Sequence, residues 1–237
     1  YTVRDRRGAM LLTGLYGCGK TLLSRFFLNV ISGPKYEVAL INNPRLDSIE
    51  LLAEIVYQLG EPNVENKTKG QLLRLLNETI YTNLNMGKET IIIIDEAQAI
   101  KDLEIFEELR LLLNFQQDNR FLLTLILIGQ SELRKKLKQL PQFRQRLMIE
   151  YHLNPLSEKD TSLYIEHRLA VSGSTEPIFH RDAKKMIHRF SSGVPRIING
   201  IADMALVEGY IQNKAIVDVE LIKKIVNDAQ LEAPWAA

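Results

Sequence analysis

The sequence holds one cysteine, one tryptophan and few aromatic residues, and no apolar run long enough to span a bilayer. The lone Cys18 excludes an internal disulfide and suits a reducing cytoplasm. Set among glycines, it reads as a small loop residue, because thiol reactivity requires a lowered pKa that residue order alone does not supply. The longest apolar runs, "TIIIIDE" and "FLLTLILIG", have strand length, and no signal-peptide pattern is visible. Neither sign of charge is in excess: 30 Lys+Arg against 29 Asp+Glu give a net charge of +1. That balance removes any global argument for nucleic acid or an anionic membrane and leaves only local patches. The four histidines (His152, His167, His180, His188) lack metal-ligand spacing and a nearby cysteine pair, so they read as structural or surface residues. The chain opens at Tyr1 without methionine and ends "LEAPWAA", which reads as a piece of a longer protein.

What is present is an ordinary globular composition, 46% hydrophobic and 25% charged over 237 residues. Apolar runs at 9–14, 36–42, 90–95, 122–129 and 149–153 predict five strands, the β-branched "TIIIID" most plainly. Helical spacing covers about 20–31, 47–59, 69–85, 103–117 and 131–140 between them. Strands apolar throughout and alternating with helices predict a parallel sheet covered on both faces. After Pro155 only helical patterns follow, at 157–171, 180–191, 195–212 and 218–231, with Ser157 and Asp160 as an N-cap arrangement. The expected fold is α/β: a core of residues 1–156 with a five-stranded parallel sheet, then a small all-helical lid, 157–237.

Chemistry concentrates in a few stretches. Gly14-Leu15-Tyr16-Gly17-Cys18-Gly19-Lys20-Thr21 satisfies G-x-x-x-x-G-K-[ST] between a predicted strand and a predicted helix. Glycines bare backbone N–H groups, which cradle phosphate; Lys20 reaches the β and γ oxygens, and the Thr21 hydroxyl ligates Mg²⁺. The candidate nucleotide-binding residues are Gly14, Gly17, Cys18, Gly19, Lys20, Thr21 and Leu22. "IIIIDEAQ" puts Asp95 at the carboxyl end of a buried strand, where ligands of open α/β sheets gather. A carboxylate there holds the Mg²⁺ shell with Thr21, and the adjacent Glu96 orients or polarises an attacking water.

Other candidates carry two readings each. Asn42 and Asn43 end the second strand: an amide there can hold Glu96 away from water, or simply end a strand before Pro44. Gln130 ends the fourth strand, within reach of a γ-phosphate or the attacking water, or serves only as a turn residue. Arg144 and Arg146, in "PQFRQRLMIE", can stabilise transition-state charge on a neighbouring subunit's nucleotide, or be solvated surface charge. "SSGVPRIING" starts a helix with Arg196 in its first turn, where a cation is unfavourable, which hints at an anionic partner such as a γ-phosphate.

In this order the pieces resemble the AAA+ ATPases, and more narrowly the general secretion pathway protein A family, with relatives in MSHA-type pilus biogenesis and exopolysaccharide or exosortase loci. "LLTGLYGCGKTLLSR", "ALINNPRLDSIELL", "IIIIDEAQAI", "LRLLLNFQQDN", "LILIGQSELRKKL", "FRQRL", "HLNPLSEKDTSLYIEHRL" and "GVPRIINGIADMAL" carry the resemblance, over roughly residues 9–206. "INNPRL", "LRLLLNFQ" and "GQSELRKKL" are the family-specific parts. The resemblance implies ATP/ADP and Mg²⁺ as ligands and a homo-oligomer, even a ring, with an arginine finger supplied in trans. It makes Lys20 and Thr21 Walker A, Asp95 and Glu96 Walker B, Asn42 the switch partner of Glu96, and Gln130 sensor 1. Arg146 becomes the finger, with Arg144 as fallback, and Arg196 sensor 2. Secretion-type members often continue into a transmembrane helix and a peptidoglycan-binding region, and this sequence shows neither. Leu15-Tyr16 is bulkier than the acidic-small pair expected there.

The expectation is an Mg-dependent ATPase that drives or regulates assembly of a bacterial secretion, pilus or polysaccharide-export machinery. It would sit in the cytoplasm, peripheral to the inner membrane through flanking segments or a protein partner. One competing reading is a DNA-binding ATPase regulating transposition, using the basic helix "SELRKKLKQL". Another is a slow nucleotide-gated scaffold, against which Glu96 argues, since a pure switch needs no water-orienting carboxylate.

Overall fold

The computed structural model describes residue 3, residues 5–117 and residues 120–228. The chain divides into two compact units. One comprises the residues up to Gly14 with Lys20–Leu153; the other comprises Leu15–Gly19 with the chain from Asn154 onward.

The first unit contains strands β1 (Ala9–Gly14), β2 (Tyr36–Ile41), β3 (Glu89–Ile94), β4 (Gln116–Gln117), β5 (Arg120–Phe121), β6 (Leu123–Gly129) and β7 (Leu147–Leu153). Its helices are α1 (Lys20–Val30), α2 (Ser48–Gln58), α3 (Lys69–Asn85), α4 (Leu103–Leu112), α5 (Ser131–Lys138) and α6 (Pro141–Arg144). Five strands form the expected parallel sheet in the order β2-β3-β6-β1-β7. Alternation divides its side chains between two faces. Ile92, Ile94, Leu125 and Leu127 pack with α2–α6, while Ile91, Ile93, Ile126 and Ile128 face Phe27 and Leu28 of α1. The central strands are buried on both sides, which is why "IIII" reads as unbroken hydrophobic. Each of those isoleucines contributes about 1.5–3 kcal/mol by leaving water.

Asp47 and Thr68 start α2 and α3 through capping boxes closed by Glu50 and Gln71. Two helices differ from expectation. α4 stops at Leu112, not 117, because the apolar spacing ends at Leu113; Gln116–Gln117 instead pairs antiparallel with Arg120–Phe121 in a short hairpin. The basic helix stops at Lys138, and Pro141, unable to continue it, opens the separate turn α6.

The second unit is helical: α7 (Glu158–Val171), α8 (Arg181–Ser191), α9 (Pro195–Ile211) and α10 (Val219–Asp228). Its own core gathers Ile165, Ile187, Ile198, Ile201 and Ile222. Ser157 caps α7 by accepting from the Asp160 N–H, and one bridge joins Phe179 to Val217. Residues 229–231 of the expected last helix lie outside the described residues. Among the described residues no helix is long and apolar enough to cross a membrane.

Candidate functional site

The sheet order sets the site. β6 lies between β3 and β1, so the residues following these three strands emerge side by side at their carboxyl ends. Lys20, the first residue of α1, is 5% exposed, and its Nζ donates to the Gly14 carbonyl at 3.0 Å. Thr21 Oγ1 donates to Asp95 Oδ2 at 3.2 Å, joining residues 74 positions apart. Asp95 is 4% exposed, and its other oxygen accepts from the Glu96 N–H at 2.8 Å.

Two hard oxygens 3.2 Å apart suit a magnesium ion. Neighbouring vertices of an octahedron with metal–oxygen bonds of about 2.1 Å are roughly 3.0 Å apart. Among the described residues no three His, Cys, Asp or Glu side chains form a metal cluster.

Glu96 is half-buried in the left-handed backbone region (φ 51°, ψ 34°), leading into a single 3₁₀ turn, Ala97–Ala99. Its carboxylate accepts from Gln98 Nε2, and Gln98 Oε1 accepts from the Gln130 N–H at 3.0 Å. Lys136 of α5 donates to the carbonyls of Gln98 (2.7 Å) and Ile100 (2.6 Å), which ties the turn to that helix. Gly129 leaves room for this amide: a Cβ there would lie 2.6 Å from Gln98 Oε1, so the side chain would have to shift. Gln98 and Lys136 were not singled out from the sequence. The only signal was their place, Gln98 in "DEAQ" and Lys136 in the basic helix.

Asn42 follows β2 level with Asp95, since Ile41 pairs with Ile94. It is exposed and makes no hydrogen bond among the described residues; the amide on Glu96 belongs to Gln98. Gln130 caps α5 with its backbone, and its side chain makes no capping bond. Arg146 lies at the opposite end of the sheet: its carbonyl accepts from the Ala9 N–H at the start of β1, and its Nη2 donates to Asn114 Oδ1 at 3.1 Å. Arg144 pairs with Glu150 at 3.4 Å, and Arg134 pairs with the same carboxylate at 3.5 Å. Leu22 is 73% exposed on α1.

The loop residues Leu15–Gly19 group with the helical unit. Gly17 and Gly19 take positive φ (81° and 94°), as a phosphate loop requires. The Gly17 carbonyl accepts from the Arg196 N–H at 3.3 Å, and a Cβ on Gly17 would lie 2.9 Å from that of Arg196. The Arg196 guanidinium lies 4.8 Å from the centre of the Tyr16 ring and donates to its hydroxyl. A cation in the first turn of α9 thus has an aromatic face as partner, which accounts for the bulk of Tyr16. Cys18 is buried, as a small loop residue would be.

This arrangement, a glycine loop leading from β1 to Lys20 and Thr21, with Asp95 and Glu96 at the end of β3 across the intervening β6, defines a nucleoside-triphosphate-binding class of α/β protein. The chain belongs to the AAA domain family, which matches residues 3–137. The expected resemblance to general secretion pathway protein A extends along the chain. That protein of Aeromonas hydrophila is 37% identical over 240 residues, covering 99% of this chain and 44% of the relative. The chain therefore spans less than half the length of that relative.

Solved structures share the fold. Cdc6p from Pyrobaculum aerophilum superposes with a TM-score of 0.72 at 17% identity, over 96% of this chain and 63% of that one. The ORC2 protein of Aeropyrum pernix, in ADPNP-ADP complexes, gives 0.69 at 18% identity, over 96% and 64%. The Thermotoga maritima RuvB Holliday junction branch migration motor gives 0.61 at 18%, over 96% and 63%.

Proposed function

We propose that the chain binds ATP with Mg²⁺ and hydrolyses it to ADP and phosphate, as a subunit of a homo-oligomer serving a bacterial secretion, pilus or polysaccharide-export machinery. The observation that carries the ATPase reading is the Thr21–Asp95 hydrogen bond, which brings the two halves of a magnesium-nucleotide site together across 74 residues. The N–H groups of the loop from Gly14 to Leu22 hold the phosphates, and Lys20 neutralises them. Thr21 and Asp95 hold the cation, which when bound offsets charge on the β and γ oxygens. Glu96 orients the attacking water and takes up its proton, while Gln130 positions the γ-phosphate. Arg196, beside Tyr16 and Gly17, contacts the phosphates from the helical unit's own loop residues.

Arg146 acts on another copy's nucleotide. It lies at the amino ends of strands whose carboxyl ends bear Asp95, and a strand of this length spans roughly 20 Å, beyond the reach of an arginine side chain. Arg144, paired with Glu150, is the second choice for that role. The likeness to general secretion pathway protein A supports placing the chain in the cytoplasm, at the inner membrane through a protein partner. The DNA-regulator reading is less well supported. In α5, Arg134 is paired with Glu150 and Lys136 is committed to carbonyls, which leaves Lys135 and Lys138 as the exposed cations of that helix.

The test is ATP turnover against protein concentration for the native chain and for Glu96→Gln, with and without duplex DNA. Specific activity that rises with concentration and vanishes in Glu96→Gln supports the reading. Turnover retained in Glu96→Gln overturns the hydrolytic site, and stimulation by DNA moves the function to the transposition class.

A further inference from the structure

The hydrogen bonds around Gln98 place one amide between the two strand ends that matter most to hydrolysis. A backbone N–H can only donate, so the bond from Gln130 fixes Oε1 of Gln98 toward β6. That leaves Nε2 toward Glu96, whose carboxylate can only accept. The orientation of the amide therefore follows from its two partners. Side chains two positions apart do not meet on an α-helix. They meet here because Glu96 turns through the left-handed region before the 3₁₀ turn begins. Three further features hold the amide in place: Lys136 grips the Gln98 carbonyl, the same lysine grips Ile100, and Gly129 leaves the space the amide oxygen occupies.

We propose that Gln98 is a positioning residue for hydrolysis: it sets the Glu96 carboxylate by N–H donation and ties that setting to the backbone of Gln130. The inference rests on Glu96 being the water-orienting group. A γ-phosphate that shifts Gln130 shifts the Gln98 oxygen, and the same amide then resets Glu96. Asn42, exposed and without a hydrogen bond among the described residues, is not needed for this link.

The experiment compares Gln98→Glu, Gln98→Ala and Glu96→Gln with the native chain in steady-state ATP turnover, with affinity for a fluorescent ATP analogue as a second readout. Gln98→Glu keeps the shape and the acceptor for the Gln130 N–H, but it sets a carboxylate against Glu96 where a donor stood. We expect kcat to fall about 10-fold in Gln98→Ala and about 100-fold in Gln98→Glu, with KM and analogue affinity within about twofold of native. A packing role predicts the reverse order, since the isosteric variant would be the milder. Gln98→Glu at native kcat, or at higher kcat than Gln98→Ala, overturns the proposal while a dead Glu96→Gln keeps the ATPase reading. Turnover surviving in Glu96→Gln overturns both.

Discussion

Gly129→Ala disturbs the Gln98 link at its Gln130 end without altering the glycine loop, Lys20, Thr21 or Asp95. The added Cβ would stand 2.6 Å from Gln98 Oε1 and 2.8 Å from Leu133 Cδ2, both ends of movable side chains, and 3.3 Å from Leu133 Cβ. Overpacking of this kind costs about 1–3 kcal/mol. Loss of the bond to the Gln130 N–H costs about 0.5–1.5 kcal/mol more, reduced because Gln130 is half-buried and water can replace the amide. Restricting the unfolded chain offsets about 0.4–1 kcal/mol. The expected net destabilisation is about 1–3 kcal/mol, read by urea unfolding followed by circular dichroism. Turnover should fall about 10-fold, because the displaced amide no longer fixes Glu96, while the affinity for an ATP analogue stays within about twofold. Native stability together with native turnover would refute the reasoning. Lost stability with native turnover would show that the contact is real and the coupling is not.

Three further outcomes are expected. Tyr16→Ala removes both the ring and the hydroxyl that hold Arg196; an exposed cation–π contact is worth about 0.5–1 kcal/mol, so ATP-analogue binding should tighten about 2–5-fold, and unchanged affinity would take Arg196 away from the phosphates. Arg146→Ala and Glu96→Gln should each be inactive alone and recover turnover when mixed, since each supplies the half the other lacks; no recovery at any ratio removes the trans role. The helical unit should lose resistance to urea as pH falls below about 4.5. The hydrogen bond from Lys184 holds Glu166 below its ordinary value of 4.5, and that from Lys224 does the same for Glu208. Their contribution is therefore present above that range and lost as pH falls through the lowered values; it is small, because both pairs are exposed, and Glu166→Gln should flatten part of the response.

The parts legible in the sequence were those governed by local pattern. β-branched runs bounded by polar residues gave the sheet, and the glycine spacing from Gly14 to Lys20 announced a phosphate loop. Strand-end chemistry followed, because a parallel sheet delivers its carboxyl ends to one edge. Gln98 was hidden because its use depends on the left-handed turn at Glu96 and on an N–H 32 residues away. The Tyr16–Arg196 pair spans 180 residues, so the ring in the phosphate loop looked only oversized. Lys136 was counted with its charged neighbours as helix surface; only the packing of α5 shows that it faces the turn.

β6 has a mechanical consequence. It is laddered to β3 on one side and β1 on the other, so it cannot tilt without breaking hydrogen bonds along both edges. A push at Gln130 is passed beyond this stiff beam to the short α5, where Lys136 stands about 9 Å further along the helix axis. The turn that carries Gln98 is therefore gripped at two points, by an amide at the near end of α5 and by an ammonium group further out. A small rotation of α5 about the strand end would move the outer point further than the near one. The helix is a lever with the strand end as its fulcrum, and under the role proposed for Gln98 its output is the angle of one carboxylate.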